Sequence, residues 1–172
     1  MVRPEGPAMT ADLAGPGAAT APSWLTAMFD EDDVAGLSLP ASATCDIHGR
    51  TTSPAVARDF TARTLCGWDA DDLVPDAQIV VSELVTNALR HAPAEPAGAP
   101  PIRLRLVRHR FHIGCGVSDA SARVPALSPW SDLSESGRGL HLVDALCAAW
   151  GWILTRGGGK VVWALFDARS SY

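Results

Sequence analysis

Two pairs of alternating apolar and polar segments, 102–109 with 111–118 and 151–156 with 160–166, constrain this chain more than any other feature. Links this short allow only antiparallel hairpins. In the first pair Ile102, Leu104 and Leu106 share one face and Arg103 and Arg105 the other; Ile113, Cys115 and Val117 share a face, and Asp119 falls on their parity. The second pair turns through Gly157-Gly158-Gly159. A helix opens at Ser53 (N-cap) and Pro54 (first helical position), carries Val56, Phe60 and Leu65 inward to about Cys66, and ends at Gly67. A second helix spans roughly Pro75 to Ala92, stopped by Pro93, and a third roughly Arg138 to Trp150. Residues 36–47 read as an edge strand with its turn, while 93–101 and 120–136 read as loops. The order β-α-α-β-β-α-β-β predicts an α/β fold, a two-layer sandwich with a mostly antiparallel sheet and helices on one face. It excludes a doubly wound parallel sheet.

Charge divides the chain differently. The net charge of −5 lies in residues 1–35, where six acids face one base, leaving thirteen of each among the other residues. We expect a disordered acidic leader (1–35), one domain (36–167) and a short tail (168–172). Within the leader, Trp24, Leu25, Met28 and Phe29 form an apolar cluster: a short helix docking on the body or a partner, or a sticky patch on a floppy segment. The neutral body gives no support to direct nucleic-acid binding. No run approaches the roughly 18 apolar residues of a membrane span. Four scattered cysteines and no visible secretory signal suggest a cytoplasmic protein with free thiols.

Three constellations carry chemistry. On the second helix, in SELVTNALRHA, Glu83, Asn87 and His91 recur every four residues and drift only ~40° per step. Glu83 and Asn87 fall where the apolar arc meets solvent, and Arg90 reaches the same side. A carboxylate and a carboxamide oxygen suit Mg²⁺, and an Arg beside them suits phosphate; a plain amphipathic helix with a solvated edge has the same pattern. In VSDAS, Asp119 stands at a strand end on the buried parity, where it needs a donor such as a purine amino group, unless it merely forms a turn. In SGRGLHLVDAL, Gly137 and Gly139 open an apolar helix and leave backbone N–H groups for a phosphate, with Arg138 beside them; glycines serving steric room alone read identically. Leu142 breaks the dinucleotide glycine pattern, and Val161 after Lys160 breaks the P-loop pattern. In this order, the three describe a metal-bridged purine triphosphate held on one sheet face.

At these residues the chain resembles the GHKL ATPases, and more closely the small bacterial anti-sigma-factor serine kinases. ELVTNALRHA resembles the N box, VSDAS and GRGLHLV the two glycine boxes, and GGGKVVWALF the terminal hairpin. The resemblance implies the Bergerat α/β sandwich and binding of ATP with Mg²⁺. It implies Asn87 as the Mg²⁺ ligand, Glu83 as general base, Asp119 on the adenine amino group and Arg90 near the phosphates. Gly137, Arg138, Gly139 and Leu140 would line the triphosphate, under a short lid at 122–136. Two positions depart from the family pattern: Ser121, at the adenine edge, stands where the wider family has Gly, and Val161 where a Thr is common near the base.

The implied function is an ATP-dependent protein serine/threonine kinase that regulates transcription. It would bind and phosphorylate a partner in trans, an anti-anti-sigma factor, or bind a sigma factor, and a homodimer is expected. The competing expectation is a non-catalytic, ATP-gated binding protein. The outer-face arginines Arg103 and Arg105 read as a solvated face or as a docking surface for an acidic partner.

Overall fold

The computed structural model describes residues 20–29, 41–48, 53–91, 101–125, 138–156 and 158–168. The expectations for 1–19 and 30–40, the loop at 92–100, most of the lid with Gly137 (126–137), Gly157 and 169–172 lie outside these residues. The elements are α1 (Ser23–Phe29), β1 (Ser42–Ile47), α2 (Ser53–Cys66), a single 3-10 turn (Asp71–Leu73), α3 (Val74–His91), β2 (Ile102–His109), β3 (His112–Asp119), α4 (Gly139–Leu146), β4 (Ala149–Leu154) and β5 (Lys160–Asp167). Among the described residues the strands form one sheet in the order β1-β2-β3-β5-β4, every neighbour antiparallel. The α/β sandwich expected from the hairpins is therefore present.

Strand alternation sorts the sheet into two faces. Cys45, Ile47, Ile102, Leu104, Leu106, Ile113, Cys115, Val117, Val162, Ala164 and Phe166 join the main core. Against them α3 packs Ala77, Val80, Val81, Leu84, Val85 and Ala88, a stripe at helical spacing. α2 contributes Ser53, Ala57, Thr61 and Leu65. The sequence pointed instead to Val56, which is 43% exposed, with Phe60 only partly buried. Thr61 can take the core position because its hydroxyl donates to the Ala57 carbonyl at 2.8 Å. Small side chains along this stripe suit close helix packing. The chain then turns after Gly67 at Asp69, whose φ of 52° lies in the left-handed region.

The third helix is shorter than its apolar run suggested. α4 stops at Leu146 rather than Trp150, because Cys147 turns to extended backbone (φ −120°, ψ 159°) and the Ala148 N–H donates to the Leu165 carbonyl on β5 rather than to a helical partner. Trp150 sits in β4, its indole N–H donating to Asp144 at 2.8 Å.

α1 covers the opposite face of the sheet. A side chain at Gly114 would meet Leu25 Cδ1 at 2.7 Å, and one at Gly116 would run into the Phe29 ring. Leu25 is fully buried, and Trp24 stacks on His109 with ring centroids 4.7 Å apart. Residues 23–29 thus depart from the expected disordered leader: two glycines side by side on β3 open a notch that their apolar side chains fill. Gly116 pairs with Trp163, which is itself fully buried on this face. Further along the same face Arg103 pairs with Asp46 at 2.7 Å, holding that carboxyl below its usual range, and Arg105 donates to Thr44.

Candidate functional site

The core face of the sheet ends in a buried polar cluster. Asp119, at the end of β3, lies directly opposite Lys160, the first residue of β5. Their side chains are 1% and 4% exposed and meet at 2.9 Å. Asp119 Oδ1 also accepts the Ser121 N–H at 2.8 Å, while Lys160 Nζ donates a second bond to the Ser121 carbonyl at 3.1 Å. Asp119 Oδ2 is buried with no partner among the described residues. An ionised carboxylate has only acceptor sites, so this oxygen can still accept a hydrogen bond. Gly159 lets β5 enter so close: its φ is 142°, and a side chain there would meet the Asp119 carbonyl.

Sequence reasoning missed Lys160, and strand parity held the signal: Lys160 shares its face with Val162, Ala164 and Phe166. By the same alternation Val161 points to the opposite face. The side chain beside Asp119 is therefore Lys160 and not residue 161. Ser121 contributes its backbone here, its hydroxyl accepting the Arg123 N–H at 3.2 Å.

A second cluster lies back along α3. Glu83 is half-buried, and a side chain on Gly139 would run into its carboxylate. Glu83 therefore lies against the first turn of α4. Arg138, the exposed N-cap residue, provides no side-chain cap to the free N–H groups of that turn. The positive end of α4 favours negative charge at this spot. Asn87 is half-buried one turn beyond Glu83, Arg90 is exposed on the last turn, and Leu140 packs on the core. Eight residues, about 12 Å of helix, separate Glu83 from His91. Among the described residues no group of three His, Cys, Asp or Glu side chains gathers as a metal site. Burial pushes the Cys115 thiol up to about 12 and Cys147 up to about 11, so neither is a nucleophile at neutral pH.

His91, exposed at the end of α3, lies within electrostatic reach of the Asp119 cluster. Desolvation, then the charges of Arg123 and Lys160, lower its pKa against the opposing pull of Asp119. A depressed folded value means that the unfolded chain takes up the proton first, so this group's contribution to stability is lost as pH falls through and below 6.5. In an NMR titration the His91 ring should therefore show a midpoint below 6.5, rising when Arg123→Gln removes a neighbouring charge. A midpoint unmoved by that substitution would contradict this placement.

Comparison with known proteins adds to the geometry. Residues 48–166 match the model of the histidine kinase-like ATPase domain. The uncharacterized protein SCO4941 of Streptomyces coelicolor is 38% identical over 81 residues, covering 45% of this chain and 76% of that protein. Two solved structures share the fold with TM-scores of 0.56. One contains the RsbU and RsbW domains of Rv1364c from Mycobacterium tuberculosis, at 16% identity; the match covers 74% of this chain, which spans only 32% of that one. The other is the SiaB–SiaC complex from Pseudomonas aeruginosa, at 11% identity, covering 83% of this chain and 98% of the matched one. Among the described residues no helix is long and apolar enough to cross a membrane.

Proposed function

Because the chain belongs to the histidine kinase-like ATPase domain family, we propose that it binds ATP on the core face of its sheet and phosphorylates a serine or threonine of a partner protein. The observation that carries the nucleotide reading is the buried, unpartnered Oδ2 of Asp119. It fits the amino group of adenine, the donor that such an acceptor lacks. The α4 N-terminus at Gly139, with Gly137 and Arg138 before it and Leu140 after it, fits the phosphates. Asn87 supplies a hard oxygen suited to Mg²⁺, and Arg90 a cation near the phosphates. Bound Mg²⁺ would neutralise phosphate charge; the protein's own residues do the positioning that phosphoryl transfer chiefly requires.

Glu83 is the proposed general base. It stands against the start of α4, where the terminal phosphate would lie, and would accept the proton of the attacking hydroxyl. Ser121 closes the adenine edge through its backbone. The partner we favour is an anti-anti-sigma antagonist, with a sigma factor as a second binding target. The solved relatives contain an RsbW domain and a two-protein complex, which supports a partner-binding role without identifying the partner. The test is transfer of label from radiolabelled ATP to candidate antagonist proteins. Phosphoserine or phosphothreonine on one of them is expected; no transfer to any antagonist that binds the protein would contradict kinase activity and favour an ATP-gated binder.

A further inference from the structure

Resting on the nucleotide reading above, we propose that Lys160 is a positioning residue: with the Ser121 N–H it claims one side of residue 119 and so fixes which atom of that side chain meets the base. Burying an ion pair costs desolvation that apolar residues would avoid, and β5 is otherwise apolar from Val161 to Phe166. Fold stability alone therefore gives little reason for a lysine here. The pair is also left incomplete: Lys160 and the Ser121 N–H both donate to Oδ1, while Oδ2 has no donor. Lys160 is held in turn by the Ser121 carbonyl, and its β5 position is locked in register with Asp119. Two donors thus claim one side of residue 119, and only the other side is offered to a ligand.

With Asp at 119 that offered atom is an acceptor, which suits a 6-amino group and opposes a 6-oxo group. A carboxamide makes the two sides unequal. Lys160 and the Ser121 N–H would hold its oxygen on their side, turning the NH₂ donor toward the ligand. Asp119→Asn should therefore invert the preference, and removing Lys160 should weaken the inversion, because the Ser121 N–H alone then holds the carboxamide oxygen.

The experiment compares Mg-ATP and Mg-inosine triphosphate binding by wild type, Asp119→Asn and Asp119→Asn/Lys160→Met. Wild type is expected to favour ATP by about 100-fold or more, because an unmatched buried acceptor strongly rejects the wrong group. Asp119→Asn is expected to favour the inosine nucleotide by about tenfold, and the double variant to fall within about threefold of no preference. If folded wild type binds no ATP, the nucleotide reading itself fails. If wild type binds ATP but Asp119→Asn still favours it, or the double variant keeps the full inversion, the role of Lys160 alone fails. Should Asp119→Asn not fold, NMR of wild type decides: a hydrogen-bond coupling between Lys160 Nζ and the Asp119 carboxyl carbon should persist when ATP is added. Its loss on binding would overturn the proposal.

Discussion

Glu83→Ala is expected to slow phosphoryl transfer to the partner by about 10²–10⁴-fold, the usual worth of a general base, while Mg-ATP affinity stays within a few-fold of wild type. The two effects separate because Glu83 and Asp119 sit at different ends of the site. Truncating Glu83 leaves the Asp119 acceptor, its Lys160 and Ser121 bonds and the N-terminus of α4 in place. The substitution also creates little strain, since Glu83 is only half-buried. Gly139→Ala tests the same contact from the other side: its methyl group would push on the Glu83 carboxylate, so transfer should fall although Glu83 remains. Single-turnover transfer and calorimetric ATP binding, measured on the same preparations, separate chemistry from affinity. Equal losses of transfer and ATP affinity in Glu83→Ala would assign this carboxylate to binding and remove it as the base.

The second large effect concerns stability. Removing residues 1–35, or changing Leu25 to Ala, should destabilise the protein while leaving Mg-ATP affinity within a few-fold. Leu25 is fully buried, and α1 fills the notch above Gly114 and Gly116 on the face of the sheet opposite Asp119 and Glu83. Deleting a buried leucine side chain typically costs about 2–5 kcal/mol. For a chain of this size that lowers the melting temperature by roughly 5–15 °C. Removing α1 altogether would also leave the buried Trp163 face without part of its cover. Thermal unfolding monitored by circular dichroism reads the first effect and calorimetry the second. A truncated protein that melts like the full chain would show that α1 contributes no net stability. A tenfold loss of ATP affinity would place the Trp24–Phe29 segment within reach of the site.

What was legible in the sequence follows the strength of its periodic signals. The hairpins settled sheet direction because links of so few residues allow one arrangement. The α3 stripe was clear because its six buried positions are all Ala, Val or Leu. α2 was harder: hydrophobicity favoured Val56, whereas the core accepted Thr61 once its hydroxyl had a backbone partner. The end of α4 was hidden because Ala148, Ala149 and Trp150 would suit a helix, and only contact with β5 turns Ala148 away and draws Ala149 and Trp150 into a strand. In the site, Asp119 was legible from its parity at a strand end. Lys160 was not, because its meaning depends on the β3–β5 register that sets it opposite Asp119. The role of α1 depended on glycines in a strand far along the chain, Gly114 and Gly116, a relation that no local pattern carries.

The most direct test of the account is titration of the folded wild-type protein with Mg-ATP, set beside Asp119→Ala. We expect saturable one-to-one binding by wild type and at least about 100-fold weaker binding by the variant, because the buried Asp119 oxygen that has no partner among the described residues is gone. Circular dichroism of both proteins establishes that the loss reflects the site. Absence of binding by wild type, or equal affinity in the two proteins, would contradict the claim that Asp119 reads a nucleotide base.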